Sequence, residues 1–213
     1  MLLVYAKTNE ERGAKGISAF MVEKDFPGFQ VAQKLTKTGF RGSPTGELVF
    51  NDCRVPAANR VSEQDRGVQL VMNGLDLERA MAAPLCLGIC ERALELSIEY
   101  ARTRRQFGRP IADMYVWTES ACVMTYQALR AANHLEVGGG GRGEIHEITA
   151  APVMYAANTM NKVLDEAVQI HGGSGCIWES EINRLCRAIK LLEIGAGTTE
   201  VHKIIIGDEL LGR

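Results

Sequence analysis

Two hydrophobic textures follow one another along the chain. Up to about Pro56, short apolar runs alternate with turn signals. Residues 2–6, 17–22, 29–35, 47–50 and 53–55 read as strands, separated by the polar stretch 8–15, by Phe26-Pro27-Gly28 and by the glycine-bounded segment 39–46. This pattern predicts a mostly antiparallel sheet. From about Val61 the period lengthens. Residues 68–72 and 75–79 lead into 82–102, where Leu85, Ile89, Ala93, Leu96 and Tyr100 fall on one face of a helix. Gln106-Phe107-Gly108-Arg109-Pro110 stops that helix, since glycine and proline punctuate helical runs.

Residues 112–137 read as a second helix, 138–143 as a flexible glycine-rich loop, and 148–171 as a third helix closed by Gly172-Gly173. A short helix over 182–192 and a last one over 200–211 follow, the last capped by the hydroxyls of Thr198-Thr199. Amphipathic helices joined by short links form a bundle. The expected fold is mainly α: part of an antiparallel β domain over residues 1–60, then a helical bundle domain over 61–213. A strand that opens at the first residue predicts the C-terminal part of a longer protein.

Composition narrows the function. Apolar residues make up 46% and charged residues 23% of the 213, with a formal net charge of −2, as in ordinary globular domains. No basic block marks a nucleic-acid surface, and no apolar run reaches the roughly 18 residues of a membrane span. The six cysteines lack C-x-x-C spacing, which predicts free thiols in a soluble, reducing compartment. Cys86 and Cys90 lie one helical turn apart, but no His or carboxylate of ligand spacing joins them, so no metal is expected.

Four segments carry candidate chemistry. Gly74-Leu75-Asp76-Leu77-Glu78-Arg79 puts two carboxylates and an arginine in the short run just before the long helix. Arg104-Arg105-Gln106-Phe107-Gly108-Arg109-Pro110-Ile111 ends it. Gln169-Ile170-His171-Gly172-Gly173-Ser174-Gly175 closes the third helix, and Ile194-Gly195-Ala196-Gly197-Thr198-Thr199-Glu200 opens the last. Each also has an ordinary structural role. Glycines cap a helix, an arginine complements a helix C-terminus, threonines cap an N-terminus, and Glu78 would pair with Arg79 or Arg92.

Taken together and in this order, with Phe40-Arg41-Gly42-Ser43-Pro44-Thr45 and Val55-Pro56 upstream, the segments resemble the acyl-CoA dehydrogenase family, and within it the isovaleryl-CoA type. The resemblance implies a flavoprotein that uses FAD to oxidise a short branched acyl-CoA to its 2,3-enoyl-CoA, as in leucine catabolism and fatty acid metabolism. It also implies electron-transfer flavoprotein as acceptor, a homotetramer, and a mitochondrial matrix or bacterial cytoplasmic setting. It assigns Arg104, Gln169, Ile170, His171, Gly172, Gly173, Thr198, Thr199 and Glu200 to FAD. Most of the family carries its catalytic Glu at the position of Ala196. Here the resemblance passes that duty to Glu78, with Asp76, Leu77, Arg79, Ala196 and Gly197 lining the substrate. It further implies that about three helical turns are missing after Ile111, so that Tyr115 does not inherit a flavin contact. Two other readings remain at this stage: a family member acting on another acyl chain, and a truncated inactive fragment or oligomerisation module.

Overall fold

The computed structural model describes residues 1–104, 110–133 and 146–212. They divide into two compact units, one made of Met1–Lys37 with Arg41–Gly74, the other of Thr38–Phe40 with Leu75–Arg213.

In the first unit each strand pairs with its neighbour in sequence. β1 (Leu2–Lys7) runs antiparallel to β2 (Ile17–Val22), in register from Leu2 opposite Val22 to Lys7 opposite Ile17. β3 (Phe29–Leu35) pairs likewise with β4 (Thr45–Phe50). Val31 faces Leu48 and Gln33 faces Glu47, so Ala32 is an extra residue, a bulge that bends the hairpin. The pairing is antiparallel, as expected, and is divided between two separate two-stranded sheets.

The expected strand at residues 53–55 does not form. Val55 precedes Pro56, whose missing N–H removes a ladder donor. Residues further along lie beside β2 instead. Val61 N–H donates to Ala19 O (2.9 Å), Asn59 Nδ2 to Met21 O (2.9 Å), and Ala19 N–H to Ser62 Oγ (3.1 Å). Asp65, at φ +63°, donates its N–H to the buried Ser18 Oγ (2.8 Å) and accepts from Thr8 Oγ1 (2.7 Å) and Arg12 (3.1 Å).

The second unit is helical. α1 (Gly67–Thr103) begins in the first unit and is one continuous helix. The two short runs expected before residue 82 belong to it, and it passes through Pro84 without a break. α2 (Pro110–Ala132), α3 (His146–His171), α4 (Glu181–Ile194) and α5 (Thr199–Leu211) follow. The motif residues 105–109 and the glycine loop 138–143 lie outside the described residues.

α3 packs against α2, α4 and α5. Its buried residues explain this central place: Ala150, Ala156, Ala157 and Ala167 let neighbouring backbones approach, while Val153, Met160, Val163 and Leu164 fill the gaps between them. α1 adds Cys86, Cys90, Ala93 and Leu94 to the same core. Burial pushes the thiols of Cys86 and Cys90 up to about 12, so they serve as small apolar residues. Among the described residues no helix is long and apolar enough to cross a membrane.

Candidate active site

Helical periodicity divides α1 into two faces around residue 78. Asp76, Arg79, Ala80 and Ala83 turn inward and are buried. Leu77, Glu78, Met81 and Leu85 turn outward, the three apolar side chains 49–55% exposed. Glu78 therefore lies on an exposed, otherwise apolar stripe. Neither ordinary partner claims it. Arg79 pairs with Asp76 (3.3 Å), and Arg92 makes a two-pronged pair with Glu181 (3.0 Å each) plus a bond to Glu95 (3.0 Å). Among the described residues Glu78 makes no ion pair.

The inward face meets the turn between α4 and α5. Gly195 ends α4 and donates its N–H to Leu191 O (2.7 Å). Ala196 is left-handed at φ +57° and Gly197 sits at φ +107°. Thr198 is the N-cap of α5, its Oγ1 accepting from Val201 N–H (3.3 Å). An alanine in the left-handed region costs about 1 kcal/mol or more, so something must hold it there. Its carbonyl is gripped twice, by Arg79 Nε (3.4 Å) and His202 Nε2 (3.1 Å). Behind Arg79, Asp76 Oδ1 also accepts from Thr149 Oγ1 (3.2 Å) at the start of α3. A buried polar chain thus runs from Thr149 through Asp76 and Arg79 to the Ala196 carbonyl and His202.

The structure brings Asp76, Arg79, Ala196 and Gly197 together, while Leu77 and Glu78 adjoin them along α1 on the outward face. A Cβ on Gly197 would stand 3.0 Å from His202 Nε2, at a φ that side chains rarely adopt. Gly197→Ala is expected to cost about 1–3 kcal/mol in urea unfolding.

His202 is 2% exposed, and burial lowers its proton affinity below the ordinary 6.5; the Ala196 carbonyl opposes this and the Arg79 charge adds to it. Below about 6.5 the unfolded chain then binds more protons than the folded one, so stability is lost as pH is lowered through that range and is flat above it. Urea unfolding across that range is expected to give a steeper slope for the native chain than for His202→Gln.

The remaining candidates form a second group. Arg104, exposed at the end of α1, donates to the Tyr100 hydroxyl (3.0 Å). The Tyr100 ring stacks on His171 (centroids 4.5 Å apart), whose Nδ1 bonds to Ala167 O (2.8 Å). The ends of α1 and α3 therefore meet. Gln169 is exposed and Ile170 packs against the core. Gly172 takes φ +57°, the left-handed residue that ends α3. Gly173 has no such φ and open space around its Cβ position, so the packing of this chain does not itself demand a glycine there.

At the start of α5, the Glu200 carboxylate is held below its usual range by its own backbone N–H and by the Thr198 hydroxyl. Thr199 Oγ1 is buried without a hydrogen-bond partner among the described residues. The open backbone at Gly173 and this orphaned hydroxyl are features that a flat, polar-edged cofactor would satisfy, so FAD fits the residues present. Among the described residues no three His, Cys, Asp or Glu side chains gather as a metal would require.

Sequence reasoning missed His202, Thr149 and Tyr100. Tyr100 was legible in part, one turn before Arg104 on the same helix. Thr149 and His202 had no local signal, because only the tertiary fold brings them to the Asp76–Arg79 pair.

A family model described as the C-terminal domain of acyl-CoA dehydrogenase matches residues 65–211, and one described as the middle domain matches residues 1–53. Among curated relatives, the mitochondrial isovaleryl-CoA dehydrogenase of Oryza sativa subsp. japonica is 42% identical over 98% of this chain and 52% of its own length. The solved butyryl-CoA dehydrogenase of Megasphaera elsdenii superposes with a TM-score of 0.87 at 34% identity, covering 98% of this chain and 55% of that one. A structure described as PigA with FAD and proline superposes at 0.86 with 26% identity, covering 99% and 55%. The chain spans about half the length of the curated relatives it matches. With one domain model covering most of its length and a second covering the β-rich start, the chain belongs to the acyl-CoA dehydrogenase family.

Proposed function

We propose that this chain carries the base and the thioester-binding turn of an acyl-CoA dehydrogenase for a short, branched substrate of the isovaleryl-CoA kind. FAD, when bound, supplies the acceptor for hydride from the acyl β-carbon. Arg104, Gln169, Ile170, His171, Gly172, Gly173, Thr198, Thr199 and Glu200 are the residues assigned to hold it.

The observation that carries the reading is the bond from Arg79 to the Ala196 carbonyl, which ties the segment containing Glu78 to the turn that lacks a carboxylate. A methyl group at 196 cannot take a proton, and Glu78 is the neighbouring carboxylate that no cation among the described residues claims. Leu77, Met81 and Leu85 flank Glu78 with exposed apolar surface on which an acyl chain would lie, beside the carboxylate that takes its α-proton. Ala196 N–H makes no hydrogen bond among the described residues, which leaves it to bind the thioester oxygen and stabilise the negative charge that develops there. The methyl group of Ala196, in place of a carboxylate side chain, leaves room for a branch. Electron-transfer flavoprotein as acceptor and a homo-oligomer built on the helical unit belong to the same proposal.

The test is to express the chain with FAD and follow the visible flavin band as isovaleryl-CoA or butyryl-CoA is added. Bleaching that is faster with isovaleryl-CoA is expected. Faster bleaching with butyryl-CoA would move the assignment to a straight-chain substrate. A folded, colourless product would show that this length of chain does not hold flavin alone.

A further inference from the structure

We infer that His202 is a positioning residue: its Nε2–H, donated to the Ala196 carbonyl, holds the Ala196 peptide in the left-handed conformation that leaves the Ala196 N–H free for the acyl thioester. The inference rests on the proposed function for the role of that N–H, but its geometric half stands apart.

Three observations converge. Ala196 is a non-glycine residue at φ +57°, a conformation that persists only where the surroundings impose it. His202 Nε2 lies 3.1 Å from the Ala196 oxygen, and the ring is 2% exposed, so water does not compete for the bond. The ring also packs against Gly197, where any side chain would have to displace it. Arg79 contributes the second bond at 3.4 Å, longer, from a guanidinium whose Nη1 also donates to Asp76. The histidine, one turn into α5, is thus the shorter of the two tethers. It transmits the position of α5 directly to the peptide on which the thioester oxygen would rest.

The bond requires a proton on Nε2. With the ring neutral, that makes Nδ1 the unprotonated nitrogen. Burial and the adjacent Arg79 charge both favour the neutral ring.

The experiment has two arms on the full chain. In the first, the histidines are labelled with nitrogen-15 and the tautomer of His202 is read at neutral pH by long-range proton–nitrogen correlation. Protonation at Nε2 is expected; protonation at Nδ1 alone overturns the proposal whatever the substrate. In the second, isovaleryl-CoA binding is measured by calorimetry for the native chain, His202→Gln and His202→Leu. His202→Leu, which cannot donate, is expected to weaken binding about tenfold, the scale of one hydrogen bond, while His202→Gln, whose amide can, stays within about twofold. A leucine variant that is folded and binds within about twofold of the native chain overturns the positioning role. If the native chain binds no acyl-CoA, the proposed function fails, and the tautomer still decides whether the histidine holds the turn.

Discussion

Glu78→Gln is expected to lower turnover of the flavin-loaded protein by about a thousandfold, within the range of positioned general bases. Glutamine keeps the size and polarity of the side chain and removes only its ability to take the α-proton. Because Glu78 is exposed on α1 and makes no ion pair among the described residues, the substitution has no buried network to disturb. Stability in urea is accordingly expected to change by less than about 0.5 kcal/mol. Flavin content and acyl-CoA affinity should be retained, since the groups assigned to them lie elsewhere. Rapid mixing with isovaleryl-CoA separates the outcomes: binding without bleaching of the flavin band is the expected result. Bleaching at more than about a tenth of the native rate would move the base to another carboxylate. Asp76 is a poor substitute, because its carboxylate is buried and already bonded to Arg79 and Thr149.

The same contrast shows how much of the site the sequence made legible. Periodicity located α3, α4 and α5 to within two residues, because each is amphipathic and closed by glycine or opened by threonine. It cut α1 into pieces at residues 73–74 and 80–81; at Gly74 local propensity argues against a helix, and the continuous helix forms there all the same. It placed a strand at residues 53–55 from their apolar character alone, and the proline that follows removed the donor such a strand needs. Glu78 and Ala196 could be named from their motifs. That Asp76 and Arg79 turn away from Glu78, and that their inward side meets Ala196, follows from 100° per residue on a helix once its core face is known. His202 could not be read, since the pairing of α5 with the turn before it depends on the whole bundle.

Asp76→Ala is expected to be the most destabilising single change among these residues. Asp76 and Arg79 are 6% and 5% exposed, and the pair is the inner anchor of the chain that reaches Ala196. Removing the carboxylate leaves a buried guanidinium whose remaining partner among the described residues is the Ala196 carbonyl, and breaking a buried pair in this way costs about 3–5 kcal/mol. In a protein of this size that is a fall in Tm of about 10 °C. Asp76→Asn, which keeps an acceptor oxygen for Arg79 and Thr149, should lose about half as much. The double change Asp76→Leu with Arg79→Met removes both charges and fills the same space. It is expected to recover most of the loss, as buried pairs replaced by apolar side chains do. The carbonyl of Ala196 would then keep His202 as its one donor among the described residues. Thermal unfolding of the three variants checks the order. If Asp76→Ala unfolds within about 2 °C of the native chain, the pair is wetter than its burial indicates and does not anchor the turn.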